Sequence, residues 1–355
     1  MSNPTSPQKT INLALLGFGN VGRAFAELLL DKEADLLADY DLTLRVVGIA
    51  TGSHGAAVNA SGILLEEALA LVRDGFSLNE LSDEPISSSR EFIERCPADA
   101  VLETTPVSYQ DGQPALDYLS SALNRGMHAV TANKGPVVHG YRELNSLARK
   151  AGKSFLFEST VMDGAPVFSI GRCGLPGARV NAIRGVFNST TNLILSRMEE
   201  GRSFEEAVAY TQEIGIAETD PSGDIDGWDA AIKTAALVTV LMDIPFTPDQ
   251  VRRTGIRNIT REQVAEASAG GQRWKLVCSA QRAPSNPDQV EAVVEPQRVN
   301  PDSPLYYVTG TSAILEVESD VLGKLTLRED HPTPRTTAYG LLADLLNAVR
   351  SDPTL

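Results

Sequence analysis

Cysteine is scarce and unpatterned. The chain of 355 residues has three, Cys96, Cys173 and Cys278, far apart and without a CxxC pair. That spacing excludes a disulfide framework and a thiolate zinc site, and it suits a reducing, cytoplasmic setting. Each thiol reads as an inert, buried small hydrophobe. The four histidines, His54, His128, His139 and His331, show no metal-ligand spacing. No apolar run approaches the ~20 residues of a membrane helix. Met1 to Thr10 is polar, carries Pro4 and Pro7, and lacks the basic start and apolar stretch of a signal peptide, so it reads as a frayed tail. Positive charge is also in deficit: 31 lysines and arginines face 46 acids, a net −15. Nucleic acid and anionic membrane are therefore disfavoured as partners. No internal repeat or low-complexity segment is evident.

What is present is a globular composition, 42% hydrophobic and 22% charged, in a chain long enough for two domains of ~150 residues. The first part alternates strand and helix: apolar runs at Ile11 to Leu16, Leu42 to Ala50, Ala100 to Leu102, His128 to Thr131 and Ser154 to Phe157, with helical spacing at Val21 to Leu30, Ala115 to Arg125 and Tyr141 to Lys150. Gly126 supplies a helix stop. This alternation predicts a parallel, doubly wound sheet. Beyond about residue 160 helices lengthen and strand signals become irregular. Ser203 and Glu206 form a capping box that opens a helix to Ile214, and a second helix is expected from after Asp226 through Leu241. Val290 to Val294, closed by Pro296, and Ala313 to Leu327 read as strand regions. A last helix, about Thr336 to Val349, is apolar on one face.

Gly17-Phe18-Gly19-Asn20-Val21-Gly22 is a GxGxxG that follows a buried strand and opens a helix, the context a dinucleotide loop requires. Gly17 permits the turn, Gly19 lets pyrophosphate approach the backbone, Gly22 allows close helix–strand packing, and the helix N-terminus offers N–H groups to the phosphates. At the end of the second strand NAD-binding chains usually place an acid for the ribose 2′-hydroxyl. Here the sequence is Ala50-Thr51-Gly52-Ser53-His54. With no acid the balance favours NADP, although no arginine stands there to grip a 2′-phosphate, and Ser53 and His54 read equally well as a solvated loop.

The run Glu218-Thr219-Asp220-Pro221-Ser222-Gly223-Asp224-Ile225-Asp226-Gly227-Trp228-Asp229 is dense in acid, and Lys233 follows Asp229 at helical i,i+4 spacing. Composition alone allows a solvated loop and a surface pair. Yet lysine is scarce beside arginine in this chain, and this one sits among Ala230, Ile232 and Ala235, where it could donate a proton.

In this run the sequence resembles the homoserine dehydrogenase family, whose spacing is matched by Asp220-Pro221, Asp224, Gly227, Asp229 and Lys233. Thr131-Ala132-Asn133-Lys134, Gly185-Val186-Phe187-Asn188-Ser189-Thr190-Thr191-Asn192 (with Ser189 where glycine is usual) and Phe157-Glu158-Ser159-Thr160-Val161 match further family segments. The similarity runs in order over roughly residues 11 to 245. It implies that Lys233 protonates the carbonyl oxygen as hydride arrives and that Asp229 orients it. Glu218 would hold the substrate ammonium, with Asp224 in support. Lys134 would stand near nicotinamide and substrate, Ser189 and Thr190 against substrate, and Thr104 and Thr105 along the cofactor cleft. Glu158, Val161, Asp163 and Ala165 would hold a sodium ion, largely through carbonyls.

The implied architecture is α/β: a Rossmann-type doubly wound sheet over residues 1–158 and 330–355, with a second α/β substrate and dimerisation domain over 159–329. The implied protein is a cytoplasmic homodimer that interconverts L-aspartate 4-semialdehyde and L-homoserine with NADP or NAD. Its partners are a small amino-acid substrate and neither nucleic acid nor membrane. The alternatives are a related oxidoreductase of another amino-acid aldehyde or alcohol, and a non-catalytic nucleotide-binding homologue. Two departures stand out. Where the family has a second glycine-rich loop, this chain reads Arg328-Glu329-Asp330-His331-Pro332-Thr333-Pro334-Arg335, a segment expected either to contact the cofactor through Arg335 or His331 in place of backbone donors or to be an exposed linker before the last helix. Ending at Leu355, the chain is also expected to lack the regulatory domain that some members carry.

Overall fold

The computed structural model describes residues 9–351. In chain order the elements are β1 (Lys9–Leu16), α1 (Asn20–Tyr40), β2 (Leu42–Ala50), β3 (Ala56–Val58), α2 (Leu65–Arg73), α3 (Ser89–Arg95), β4 (Ala100–Glu103), α4 (Ala115–Asn124), β5 (His128–Thr131), α5 (Lys134–Ala151) and β6 (Phe155–Leu156). Then follow α6 (Val167–Ser169), β7 (Val180–Val186), α7 (Ser189–Glu199), α8 (Phe204–Glu213), α9 (Ser222–Ile225), α10 (Trp228–Leu241), β8 (Arg252–Arg253) and α11 (Arg261–Ala269). β9 (Arg273–Ala283), β10 (Asn286–Val299), β11 (Ala313–Ser319), β12 (Gly323–Glu329) and α12 (Pro334–Ser351) complete the chain. It divides into two compact units, one running up to Gly164 and resuming at Thr333, the other Ala165–Pro332.

The first unit holds a six-stranded sheet in the order β3-β2-β1-β4-β5-β6. β2, β1, β4, β5 and β6 are parallel, and β3 adds antiparallel to β2. The order reverses direction between β1 and β4, which is the switch point where doubly wound sheets bind ligands. Strands buried on both faces need continuous apolar runs, and β1 and β4 supply them. Ala338, Leu341 and Leu345 of α12 are fully buried in the same core as Phe25 and Leu29 of α1, which is why the last helix belongs here.

The second unit holds another six-stranded sheet, β12-β11-β7-β9-β10-β8, antiparallel except where β8 joins β10. The expected α/β class and two-domain organisation stand, the first domain with its parallel sheet.

Four local expectations need correction. Lys9 and Thr10 belong to β1 rather than to a frayed tail; residues 1–8 lie outside the described residues. α1 continues ten residues past Leu30 to Tyr40. There the core-facing stripe thins to Leu36, while Leu, Ala, Glu and Lys keep the helix favourable. α5 begins at Lys134, not Tyr141: Pro136 lies in the first turn, where its missing N–H costs nothing, and Asn133 caps the helix by accepting from the Gly135 N–H at 3.0 Å. Pro296 lies inside β10 and does not close it. β8 pairs only with Val293 and Val294, so beyond them that edge is open and tolerates a proline.

Candidate active site

Sterics define the nucleotide loop. Gly17 has φ +102°, and a Cβ there would stand 2.6 Å from Thr104 Oγ1 and 2.7 Å from its backbone. A Cβ on Gly22 would meet the Gly17 carbonyl oxygen at 2.4 Å. A Cβ on Gly19 would meet nothing within 4 Å. Two glycines are thus demanded by packing and the middle one faces open space, as a pyrophosphate seat requires. No side chain caps α1 and no acid sits in its first turn, which leaves its N-terminal N–H groups for an anion. Phe18 is buried, while Asn20 and Val21 begin the helix. The residues therefore fit a dinucleotide.

At the end of β2 the loop folds on itself. Thr51 Oγ1 accepts from the His54 N–H at 2.6 Å, and Ser53 Oγ lies 2.8 Å from His54 Nδ1. At the end of β4, Thr104 donates to the Gly17 carbonyl at 3.0 Å. The Thr105 N–H donates to the buried Glu103 carboxylate at 2.7 Å. Lys134 is the first residue of α5. A cation at the positive end of a helix is electrostatically misplaced, which is a reason to look for a functional role.

The second unit gathers the polar cluster. Lys233 Nζ stands 2.9 Å from Asp229 Oδ2 and donates to the Phe187 carbonyl at 2.7 Å. Both side chains are largely enclosed, 14% and 12% exposed, so the solvated-pair reading of this spacing falls away. Asn188 Nδ2 donates to Asp224 Oδ1 at 2.6 Å and to Asp229 Oδ2 at 3.0 Å, while its Oδ1 accepts from the Thr191 N–H and caps α7. Burial, and then neighbouring Asp229, push the Asp224 carboxyl above the usual range, against hydrogen bonds from Asn188 and Thr190. Ser189 Oγ donates to the Thr311 carbonyl at 2.9 Å. Glu218 is not drawn in: it is exposed, and among the described residues no hydrogen bond joins its carboxylate to the cluster. The rest of the acid run is surface, with Asp226 in a two-point ion pair with Arg257 at 2.9 and 3.0 Å.

The Homoserine dehydrogenase family model matches residues 166–346, and the Homoserine dehydrogenase, NAD binding domain model matches residues 17–158. The chain is 33% identical over 341 residues to the NAD(+)-dependent homoserine dehydrogenase of Pseudomonas canavaninivorans, covering 96% of each. It is 34% identical to the homoserine dehydrogenase of Methanocaldococcus jannaschii over 96% of this chain and 99% of that one. The chain belongs to the homoserine dehydrogenase family. A hyperthermophilic archaeal homoserine dehydrogenase in complex with NADPH superposes with a TM-score of 0.80 at 28% identity, covering 97% of this chain and 99% of that chain. The Thiobacillus denitrificans homoserine dehydrogenase gives 0.80 at 29%, covering 97% of this chain and 74% of that one.

The segment that stands in place of the second glycine-rich loop carries Arg335 and His331. Arg335 is held by Asp31 of α1 at 2.8 Å. Asp31 lies about 16 Å along the helix from its phosphate-binding end, at 1.5 Å per residue. The Arg335 guanidinium is therefore engaged away from the pyrophosphate seat. His331, at φ +52°, gives its backbone N–H to Ser312 Oγ at 3.3 Å. Of the residues assigned to sodium, Glu158 and Val161 are buried. The Glu158 N–H donates to Asp344 at 2.6 Å, and Asp163, at φ +43°, accepts from the Thr337 hydroxyl at 2.6 Å. Ala165 opens the second unit. Among the described residues no three His, Cys, Asp or Glu side chains cluster as a metal site. Cys173 is exposed, contrary to expectation, because the turn Ile170–Gly174 buries none of its residues; Cys96 and Cys278 are buried, and burial pushes each thiol up to about 12.

Three polar residues have partners that no local pattern marks: Glu103, Asn188 as a bridge between two aspartates, and Lys275. Lys275 is fully buried in β9, donates to Asn192 Oδ1 at 2.9 Å and to the Val308 carbonyl at 2.6 Å, and is lowered by burial to about 8. A rare lysine directly before the apolar run Leu276-Val277-Cys278 was the available signal.

Proposed function

We propose that the chain interconverts L-aspartate 4-semialdehyde and L-homoserine with NAD(P)H, in the cytoplasm and as a homodimer. The observation that carries the reading is the enclosed Lys233–Asp229 pair at 2.9 Å, bridged by Asn188 to Asp224. Among the described residues no helix is long and apolar enough to cross a membrane.

A nicotinamide cofactor held by the glycine loop would supply the hydride for the aldehyde carbon. Lys233 does the matching proton work. The Asp229 carboxylate and the Phe187 carbonyl hold its ammonium form in place, and in the reducing direction that ammonium gives a proton to the carbonyl oxygen as negative charge builds there. Water returns the proton to the amine. The carboxylates of Asp224 and Asp229, joined through Asn188, suit the substrate's ammonium. Glu218 at the rim extends that field, and Ser189 and Thr190 border the substrate. Lys134, with Thr104 and Thr105, serves the nicotinamide side. With no acid at the end of β2, NADP is the favoured cofactor. Sodium at Glu158, Val161, Asp163 and Ala165 enters no step of this scheme.

The test is reduced-nicotinamide absorbance with aspartate semialdehyde, run with NADH and NADPH in parallel against other amino-acid aldehydes. Loss of absorbance with this aldehyde, fastest with NADPH, is expected. Turnover only with a different aldehyde would move the substrate assignment; none with any would remove the catalytic one.

A further inference from the structure

A buried acid in the first unit has no part in that scheme. Glu103, the last residue of β4, is 0% exposed. Its partners are all donors: the Thr105 N–H and hydroxyl on Oε1, and the Thr131 hydroxyl on Oε2 at 2.6 Å. The Thr131 oxygen also accepts from the Asn133 N–H at 2.8 Å. Asn133 in turn donates to the carbonyls of Thr105 and Pro106 at 3.2 and 3.3 Å, and caps the helix that Lys134 begins. One carboxylate thus ties the threonine loop after β4 to the lysine turn after β5. Through Thr104, the same loop rests on Gly17.

Neutral groups could make such bonds. Burying a charge costs several kcal/mol unless it is compensated, and among the described residues no lysine, arginine or histidine forms an ion pair with Glu103. Burial holds its carboxyl above the usual carboxylate range, against the bonds from Thr105 and Thr131 that pull it down. Its setting of donors suits the ionised form. The position suggests the compensation. In a doubly wound sheet the dinucleotide lies across the carboxyl ends of the strands, with the adenosine ribose at the end of the second strand and the pyrophosphate on the first loop. The nicotinamide half then falls over the ends of β4 and β5. Oxidised nicotinamide is a cation and reduced nicotinamide is neutral.

We propose that Glu103 is a positioning residue of the nicotinamide half-site, and that its fixed negative charge favours the oxidised ring over the reduced one. The charge works with the reaction, because positive charge grows on the ring as hydride leaves it. Glu103 meets the substrate only through these effects. The inference rests on the nicotinamide reading above.

The test is binding to the full chain, separate from turnover: dissociation constants for NADP⁺ by calorimetry and NADPH by its fluorescence, or NAD⁺ and NADH if those bind tighter. Glu103→Gln keeps the shape and removes the charge. It should weaken the oxidised cofactor about tenfold more than the reduced one, or about 1.4 kcal/mol of differential binding. Thr131→Val removes one donor, favours the protonated acid, and should move the same ratio in the same direction by about threefold. It keeps the test open should Glu103→Gln fail to fold. Equal weakening of both forms in a folded variant would overturn the charge assignment and leave a plain structural tie. A wild-type chain that binds neither form would instead bring down the nicotinamide reading, and the inference with it.

Discussion

In the proposed scheme the two units contribute opposite materials. In the first, the nucleotide site is mostly missing atoms: a loop where Gly17 and Gly22 have no room for a Cβ and Gly19 faces open space. In the second, the site is added charge: Asp224, Asp229 and Lys233 packed around Asn188. A pyrophosphate is recognised by backbone N–H groups that must come close, so bulk is the enemy there. A carbonyl is reduced by delivering a proton at one atom, so a positioned acid is needed. The first site should fail by sterics and the second by chemistry.

The sharpest break is Lys233→Ala. If the lysine delivers the proton, kcat should fall by ~10²–10⁴-fold, while circular dichroism shows an intact fold and cofactor dissociation constants barely move. Turnover near the wild-type rate would end the assignment. Next come the glycines, which the structure separates cleanly. Gly22→Ala drives a methyl to 2.4 Å from a backbone oxygen, so it should lower the melting temperature and the cofactor affinity together. Gly19→Ala puts a methyl into open space. It should leave the melting temperature alone and weaken cofactor by about tenfold, roughly 1.4 kcal/mol. Equal effects of the two on stability would show that Gly19 is also a packing residue.

The same contrast explains what could be read from sequence. Glycine spacing and the i,i+4 pair are local, so the nucleotide loop and Asp229–Lys233 are legible in the sequence. The ties that hold those pieces are not local. Glu103 meets Thr131 only because β4 pairs with β5, 28 residues apart in the chain. Asn188 reaches Asp229 across 41 residues. Glu103 also ends an apolar strand, where its acid reads as the strand's edge. Pro136 hid the start of α5 and Pro296 the length of β10, because a proline's cost depends on whether its N–H would have had a partner. That dependence appears only once the neighbouring strands are placed.

Glu218 tests the margin of the charged site. It is exposed, and among the described residues no hydrogen bond joins its carboxylate to the Lys233 cluster. If it steers the substrate's ammonium, Glu218→Gln should raise KM by about three- to tenfold at nearly constant kcat, the pattern of an interaction shared by ground and transition states. Its effect should shrink in high salt, since an exposed charge is screened within ~10 Å at 0.1 M. A collapsed kcat with unchanged KM would make it a chemical group and enlarge the catalytic cluster.

The smallest effect belongs to Arg335, which belongs to neither kind of site. From sequence it was a candidate donor to the cofactor; in the structure its guanidinium pairs with Asp31 at 2.8 Å, with side chains 52% and 58% exposed. Exposed pairs of this sort contribute about 0–1 kcal/mol, because water solvates both partners well and ordering two long side chains costs entropy. Arg335→Ala should therefore shift the melting temperature by no more than a few degrees and leave the dissociation constants of both NADH and NADPH within about twofold. Asp31→Ala should reproduce the small stability change, and the double variant should add nothing beyond the larger single one, because each removes the same contact. A tenfold loss of cofactor affinity in Arg335→Ala alone would mean that the guanidinium leaves Asp31 for a phosphate when the dinucleotide binds, and the nucleotide site would then depend on a side chain as well as on the space its glycines leave.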